Sequence, residues 1–238
     1  MIRRNKYILS ISIILIVIVT LTVSFSLYSS KIFSSDNTSL SEPSTILLGS
    51  TDYGNVVKEG PFGNTSSKIR IAYVVGVHPL EANAHRAIVE SIKSHNSSLH
   101  YCYYIYHVNV TKDADDYSKG RNNGQLLARD YVVPDAINQK FQLVIDVHRN
   151  AGSWKENLFI FAPANGTSES IGMEISRNIP WLKYYVPPNP TSPSYLTIPL
   201  IKSGVPSVVY ETYSKEAYET TRDRADEFVT TVDQLKDI

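Results

Sequence analysis

The chain has 238 residues, which is enough for one ordinary domain with short additions but not for two full domains. Its 23 basic and 23 acidic side chains give a net charge of zero, without the basic excess that binding to phosphate backbones usually requires, so we expect no nucleic-acid partner. The single cysteine, Cys102, excludes an intrachain disulfide, but a domain of about 170 residues can bury enough apolar surface without one.

The first 28 residues predict a short cytoplasmic stub and a transmembrane signal anchor. Residues 7–28 contain no charged side chain, and at 1.5 Å per residue they would span about 33 Å, enough for a hydrocarbon core of about 30 Å. Arg3, Arg4 and Lys6 lie just before this segment, and positive flanks remain on the cytoplasmic side. We therefore expect the rest of the chain outside the cytoplasm. A cleaved signal peptide is the alternative, although its apolar region normally covers only about 7–15 residues.

Residues 29–67 predict a flexible spacer, because they are rich in Ser, Thr, Asn and Gly and have no sustained apolar period. Five Asn-x-Ser/Thr sequons occur along the chain, which suits the surface of an exported protein. They begin at Asn37, Asn64, Asn96, Asn109 and Asn165. Composition is the alternative explanation, since a chain rich in these residues forms sequons by chance.

Residues 68–238 predict a single α/β domain, because apolar strands alternate with amphipathic helices. The predicted strands are Ile69–Val77, Leu99–Val110, Phe141–Val147, Leu158–Ala162, Leu182–Val186 and Val205–Tyr210. The predicted helices are Glu81–Ser94, Asn123–Asn138 (interrupted near Pro134), Ser168–Asn178, Ser194–Ser203 and Lys215–Leu235. Continuous apolar strands are typical of a sheet buried on both faces, so we expect a layered fold with a largely parallel or mixed β-sheet flanked by helices.

The residues that could carry chemistry lie where predicted strands end, which is where functional groups gather in open α/β sheets. His78 ends the first strand, and Glu81 lies three residues later, so the two side chains can converge on one ion. His148 directly follows a buried strand, with Asp146 placed to orient its ring. Glu211 ends the last strand, where a carboxylate is costly to bury without a partner. Two imidazoles, a carboxylate ligand and a further carboxylate for proton transfer are what metal-assisted amide hydrolysis requires.

Each of these residues also has an ordinary structural explanation. Glu81 could meet the dipole at a helix N-terminus, with His78 facing solvent. His148 could bond to the backbone, and Glu211 could lie on the surface at a strand exit. His85 is assigned to the surroundings of the site or to the surface. The ordered set as a whole is harder to explain by chance than any one of its members.

The sequence around these residues resembles the superfamily of zinc carboxypeptidases and zinc amidases, over roughly residues 69–238. The run Val144–Ala151 is similar to the Asp-Ile-His-Arg-Asp-Ala motif of peptidoglycan amidases of the stage II sporulation protein P type. Gly76–Glu81 looks like the corresponding segment of carboxypeptidases, and Ile198–Glu211 resembles their helix and strand that lead into the catalytic Glu. The resemblance implies the phosphorylase/hydrolase-like architecture of the zinc exopeptidases.

The resemblance also implies roles for individual residues. His78, Glu81 and His148 would bind one zinc ion, and Glu211 would be the general base and proton shuttle. Carboxypeptidases hold the terminal carboxylate of the substrate with an Asn-Arg pair, for which the nearest candidate here is Arg121-Asn122, in reversed order.

Two further features bear on the type of substrate. Arg149 is a candidate for binding a substrate carboxylate or phosphate, because a guanidinium group can do so with two parallel hydrogen bonds. The domain is shorter than a typical carboxypeptidase and closer in size to the amidases, which favours an amidase or endo-acting peptidase over an exopeptidase.

The sequence thus predicts a membrane-anchored, extracytoplasmic, zinc-dependent amidase or peptidase. Its location favours cell-wall peptide or glycopeptide as the substrate. A cell-surface binding or adhesion module that keeps the fold without catalysis is the alternative, and the Tyr-rich segment Tyr101–Tyr106 and the sequons would suit it.

The predicted orientation can be tested with intact cells. Protease added outside is expected to digest residues 68–238, because the positive residues hold the N-terminus in the cytoplasm. A cytoplasmic protein in the same cells serves as the control and should be cut only after lysis. Complete protection of the domain in cells with an accessible surface would contradict the orientation.

Overall fold

The computed structural model describes residues 42–236 and 238. The predicted anchor, residues 7–28, and the first part of the predicted spacer lie outside this range. Within the described residues, none of the helices combines the length and the apolar character needed to cross a membrane.

The described residues form one mixed sheet of eight strands in the order β1-β2-β4-β3-β5-β8-β6-β7. In chain order the strands are β1 (Ser44–Thr51), β2 (Gly54–Gly63), β3 (Arg70–Val75), β4 (Cys102–Val110), β5 (Leu143–Asn150), β6 (Phe159–Phe161), β7 (Lys183–Tyr184) and β8 (Ser207–Tyr213). The central strands β4, β3, β5 and β8 are parallel to one another. β1 and β2 add an antiparallel hairpin at one side, and β6 pairs antiparallel with β8 at the other.

Helices cover both faces of this sheet. They are α1 (Ala82–Ser94), α2 (Tyr117–Leu127), α3 (Val133–Gln139), α4 (Thr167–Asn178), α5 (Thr197–Lys202) and α6 (Tyr218–Val232), with short 3₁₀ turns at Pro79–Glu81 and Ser192–Ser194. Alternate residues of β3 point to opposite faces of the sheet and pack into different hydrophobic cores, as expected for a strand. Tyr73 packs in the core that includes Phe228 of α6, and Val74 packs in the core that includes Leu127 of α2. The predicted α/β class, with a mixed sheet flanked by helices, is confirmed.

The prediction of a flexible spacer over residues 29–67 is wrong from Ser44 onward, because β1 and β2 lie within it. β2 pairs with β4 and alternates between buried and half-buried positions, and Val56 and Phe62 belong to the two cores. The four Gly, two Ser and two Thr residues of β1 and β2 hide the alternation from an argument based on composition. The domain therefore begins at least as early as β1, rather than at Lys68.

Several predicted ends differ in ways that matter for the site. β5 continues to Asn150 and β8 to Tyr213, so His148 and Glu211 lie inside strands rather than directly after them. The helix predicted at Asn123 begins earlier, at Tyr117. It passes into α3 through a π-helical turn rather than breaking near Pro134. The Val133 N–H donates to the Ala128 carbonyl oxygen and closes this wider turn, just before Pro134, whose nitrogen cannot donate a hydrogen bond.

Candidate metal centre

The turn between β3 and α1 brings His78 and Glu81 together. The strand ends at Val75, and the next residue, Gly76, has a φ of 89°, which is unfavourable for other residues. A Cβ at Gly76 would also lie 2.1 Å from the Val108 carbonyl oxygen. The chain then enters the 3₁₀ turn Pro79–Glu81, with His78 at its N-cap. In this geometry His78 Nδ1 lies 2.9 Å from Glu81 Oε1.

The second imidazole comes from β5, the strand next to β3 in the sheet. His148 Nδ1 lies 2.9 Å from Glu81 Oε2, and the two imidazole ring centres are 4.3 Å apart. One ligand atom from each of His78, Glu81 and His148 can be chosen so that all three lie within 4.8 Å of one another. The two His residues are at most 2% exposed and Glu81 is 9% exposed. The structure therefore joins the three predicted ligands in one buried cluster.

Each imidazole has a polar partner on its outer nitrogen. His148 Nε2 lies 3.0 Å from Asp146 Oδ2, although the angles are not those of a hydrogen bond. His78 Nε2 lies 3.2 Å from the side-chain amide of Gln125, a residue of α2 that the sequence argument missed. With these partners on the outer sides, both Nδ1 atoms point inward at the same carboxylate. Asp146 thus lies beside the outer nitrogen of His148.

Glu81 is the centre of this network. Besides the two imidazoles, the Arg121 guanidinium donates to Oε1 at 3.0 Å, and the backbone N–H of Arg149 donates to Oε2 at 2.9 Å. Burial alone would raise the pKa of the Glu81 carboxyl, but the charge and hydrogen bonds of His148 and His78 hold that pKa well below its usual value. The carboxylate is therefore anionic and available as a ligand.

The two imidazoles differ in protonation. Burial alone would lower the pKa of His148, but the Asp146 and Glu81 carboxylates raise it well above its ordinary value. Burial lowers the pKa of His78 to about 4, and the charge of His148 contributes to this shift. In the metal-free protein, a proton on His148 thus lies next to Glu81. A cation between the same groups would replace that proton, as metal binding to imidazole generally does.

Glu211 lies beside His148 on the neighbouring strand, since the two residues are partners in the register of β5 and β8. Its Oε2 atom is buried without a hydrogen-bond partner in the part of the chain that the structure describes. Burial raises the pKa of Glu211 to about 8, partly opposed by the charge of His148. Glu211 is therefore close to the cluster but does not share its hydrogen bonds.

A cavity of about 310 Å³ opens above these residues. Its lining includes His78, Glu81 and Glu211, together with Arg121 and Arg149. The guanidinium of Arg149 donates to the Ser214 carbonyl oxygen, while its Nε atom is buried and has no partner among the residues described. Apolar side chains, among them Trp154 and Phe161, complete the wall. Such a mixture of apolar walls and a few polar groups is typical of a small-molecule or peptide site.

Two other residues considered in the sequence lie elsewhere. Asn122, predicted to bind substrate with Arg121, is exposed and faces a separate surface hollow that also includes Tyr53 and Lys112. Adjacent residues on a helix are about 100° apart, and Asn122 does not line the cavity that Arg121 lines, so its role in substrate binding stays a prediction. His85 is buried, and its Nε2 lies 3.2 Å from the Val147 carbonyl oxygen, behind the cluster rather than in it.

No family model matches this sequence, and neither does any curated protein. Solved structures with the same fold exist. The cell shape determinant protein Csd4 of Helicobacter pylori superposes with a TM-score of 0.53 at 8% identity, covering 75% of this chain and 53% of its own. A presumed carboxypeptidase A of Shewanella denitrificans superposes with a TM-score of 0.53 at 16% identity, covering 88% of this chain and 67% of its own. A presumed metallopeptidase of the same species superposes with a TM-score of 0.50 at 11% identity, covering 86% of this chain and 87% of its own.

The chain shares the α/β fold of these solved structures, which include a presumed carboxypeptidase A and a presumed metallopeptidase. It spans about half the length of the Csd4 structure. The carboxypeptidase-like resemblance of the sequence is thus confirmed at the level of the fold. The donor set of two imidazoles and one carboxylate fits a zinc ion, and the unpaired oxygen of Glu211 beside it fits a proton-transfer role.

The metal centre can be tested by removing one imidazole at a time. His78→Ala and His148→Ala are each expected to remove most of about one bound zinc per chain, because two remaining ligands hold the ion weakly. Zinc is measured by atomic emission after gel filtration in metal-buffered solution.

His100→Ala is the matched control, since its side chain is 74% exposed and lies outside the cluster. It should leave the zinc content unchanged. Stoichiometric zinc in a protein that carries both His78→Ala and His148→Ala would show that the ligands are misassigned.

Proposed function

We propose that this protein is a zinc-dependent amidase or peptidase, anchored in a membrane with its domain outside the cytoplasm. The observation that carries the proposal is the convergence of two Nδ1 atoms on one buried carboxylate, next to Glu211, whose Oε2 atom has no hydrogen-bond partner among the described residues. Buried ion pairs alone could serve only to stabilise the fold. A carboxyl group such as that of Glu211, with an unpaired oxygen beside a cavity, is not needed for stability and is typical of a functional site.

In the proposed mechanism, His78, Glu81 and His148 hold the metal. A zinc ion in such a site supplies Lewis-acid polarisation of the scissile carbonyl and acidifies the attacking water. Asp146 and Gln125 keep the two imidazole rings oriented with Nδ1 inward. The buried position of the three ligands excludes bulk water from all but the cavity side.

Glu211 moves the protons. Its carboxylate takes a proton from the attacking water and then gives it to the leaving amine. The pKa of this carboxyl, raised by burial to about 8, lies within about one unit of pH 7, so the group can both accept and release a proton near neutral pH, which suits this double role. Its position on β8, one strand away from His148, keeps it beside the ligands without making it one of them.

Arg149 and Arg121 are proposed to hold a carboxylate of the substrate. Both guanidinium groups line the cavity, and Arg149 has an unpaired Nε atom. A guanidinium binds a carboxylate with paired, charge-assisted hydrogen bonds. Cell-wall peptides carry free carboxylates and amide bonds, and an anchored enzyme outside the cytoplasm would meet them. One structural neighbour is named as a cell shape determinant and has also been solved with a bound tripeptide, which supports a wall peptide as substrate.

A binding module on the same fold is the second candidate. The observation that favours it is the pairing of Arg121 with Glu81, which neutralises a ligand carboxylate in the metal-free protein. Such a module would bind wall peptide without cleaving it. Turnover therefore separates the two functions, and binding does not.

The catalytic role of Glu211 is tested by Glu211→Gln. The substitution keeps the shape of the side chain and removes the general base, so kcat is expected to fall by a factor of roughly 10² to 10⁴ while zinc remains bound. Hydrolysis of isolated cell-wall material and of acylated peptides is measured, with zinc content determined in parallel.

Glu219→Gln is the matched control, because Glu219 is an exposed residue in the first turn of α6. It should turn over like the wild type. Unchanged turnover in Glu211→Gln would refute the assigned role, and a zinc-loaded wild type that cleaves none of these amides would favour the binding module.

A further inference from the structure

The two imidazoles of the candidate metal centre are supported by different chemistry. His148 has a carboxylate at its outer nitrogen, from Asp146, which is fully buried. His78 has a neutral amide at its outer nitrogen, from Gln125, which is 8% exposed. The site thus combines one charged and one uncharged support.

Gln125 reaches His78 because helix α2 packs unusually closely on the turn after β3. A Cβ at Gly124 would lie 2.0 Å from the Val77 carbonyl oxygen, so only glycine permits this approach. Gly120, one turn earlier, is similarly close to Pro79, where a Cβ would lie 3.1 Å from the ring. The helix packing therefore holds the backbone of Gln125 close to His78, within reach of its side-chain amide.

The amide differs from a carboxylate in what it can offer. An imidazole that uses Nδ1 as a ligand carries its proton on Nε2 and must donate that proton outward. In the structure the amide Nε2 of Gln125 faces His78 Nε2, and it donates when the ring proton is on Nδ1. Turning the amide over by 180° puts Oε1 in the same place, where it accepts the Nε2 proton of a ring that uses Nδ1 as a ligand. A carboxylate can only accept, and its charge makes the imidazole a stronger electron donor to a metal.

We propose that Gln125 is a positioning residue that holds His78 as the weaker of the two imidazole ligands. Its neutral amide orients the ring without adding negative charge, so the site binds zinc less tightly than it would with two carboxylate supports. This inference rests on the proposed function, because it assumes that His78 is a zinc ligand.

Two substitutions in the full-length chain test the proposal in opposite directions. Gln125→Met keeps the length of the side chain and removes the hydrogen bond, so the zinc dissociation constant is expected to rise by roughly 10- to 100-fold. Gln125→Glu supplies a carboxylate, so zinc is expected to bind several-fold more tightly and to leave more slowly. Both quantities are measured with zinc alone, by competition with a fluorescent chelator and by transfer to excess EDTA.

Asn138→Asp is the matched control, since it adds the same negative charge at an exposed position of the next helix, α3. It should leave both quantities unchanged. Thermal unfolding of each metal-free variant is measured in parallel, so that if Gln125→Glu fails to fold, Gln125→Met and the control decide the outcome.

The outcomes separate this inference from the proposed function. A wild type that binds no zinc would refute the proposed function itself. A wild type that binds zinc, with affinity unaltered in both Gln125 variants, would overturn only the role of Gln125. Weaker binding in both folded variants would also overturn it, because a side chain that matters only for packing predicts loss in each case. Opposite shifts, with the control unchanged, would confirm it.

Discussion

The site depends on burying one carboxylate, that of Glu81, between two imidazoles. A buried charge is tolerated only where other groups compensate for the lost water. Here two imidazoles, the Arg121 guanidinium and the backbone N–H of Arg149 do so together. Because these partners come from the β3 turn, from β5 and from α2, the carboxylate ties three separate elements to one point. A metal ion bound at this point would be held by nitrogen and oxygen atoms that the fold already brings together.

The topology of the sheet explains why these elements meet. β3, β5 and β8 are consecutive and parallel in the sheet, so their carboxyl ends share one edge. His78 follows the first of these strands, His148 belongs to the second and Glu211 to the third. The side chains therefore converge through strand order alone, whereas the neighbouring helix α2 adds Arg121 and Gln125 from above. Fold and chemistry are connected here because ligands in open α/β sheets collect at the strand ends.

Much of this arrangement could be predicted from the sequence. Continuous apolar strands revealed the central sheet, and the polar residues at their ends revealed His78, Glu81, His148 and Glu211. The lengths of the strands were less predictable, since polar residues that pair inside a sheet look like the start of a loop.

Other features could not be read from local patterns. The β1–β2 hairpin has the composition of a linker, and only its pairing with β4 makes it part of the domain. Gln125 is neither titratable nor a common metal ligand, so its residue type does not point to a role in the site. The one available clue was its spacing of four residues from Arg121, which places both on one helix face. The same geometry turns Asn122 away, which a search for an Asn-Arg pair by sequence could not reveal.

X-ray absorption at the zinc edge of the zinc-loaded, full-length protein tests the central claim most directly. The account predicts two imidazole nitrogens at about 2.0–2.1 Å and carboxylate oxygen at about 2.0–2.2 Å from the zinc. A sulfur ligand at about 2.3 Å, or a spectrum without imidazole scattering, would contradict it.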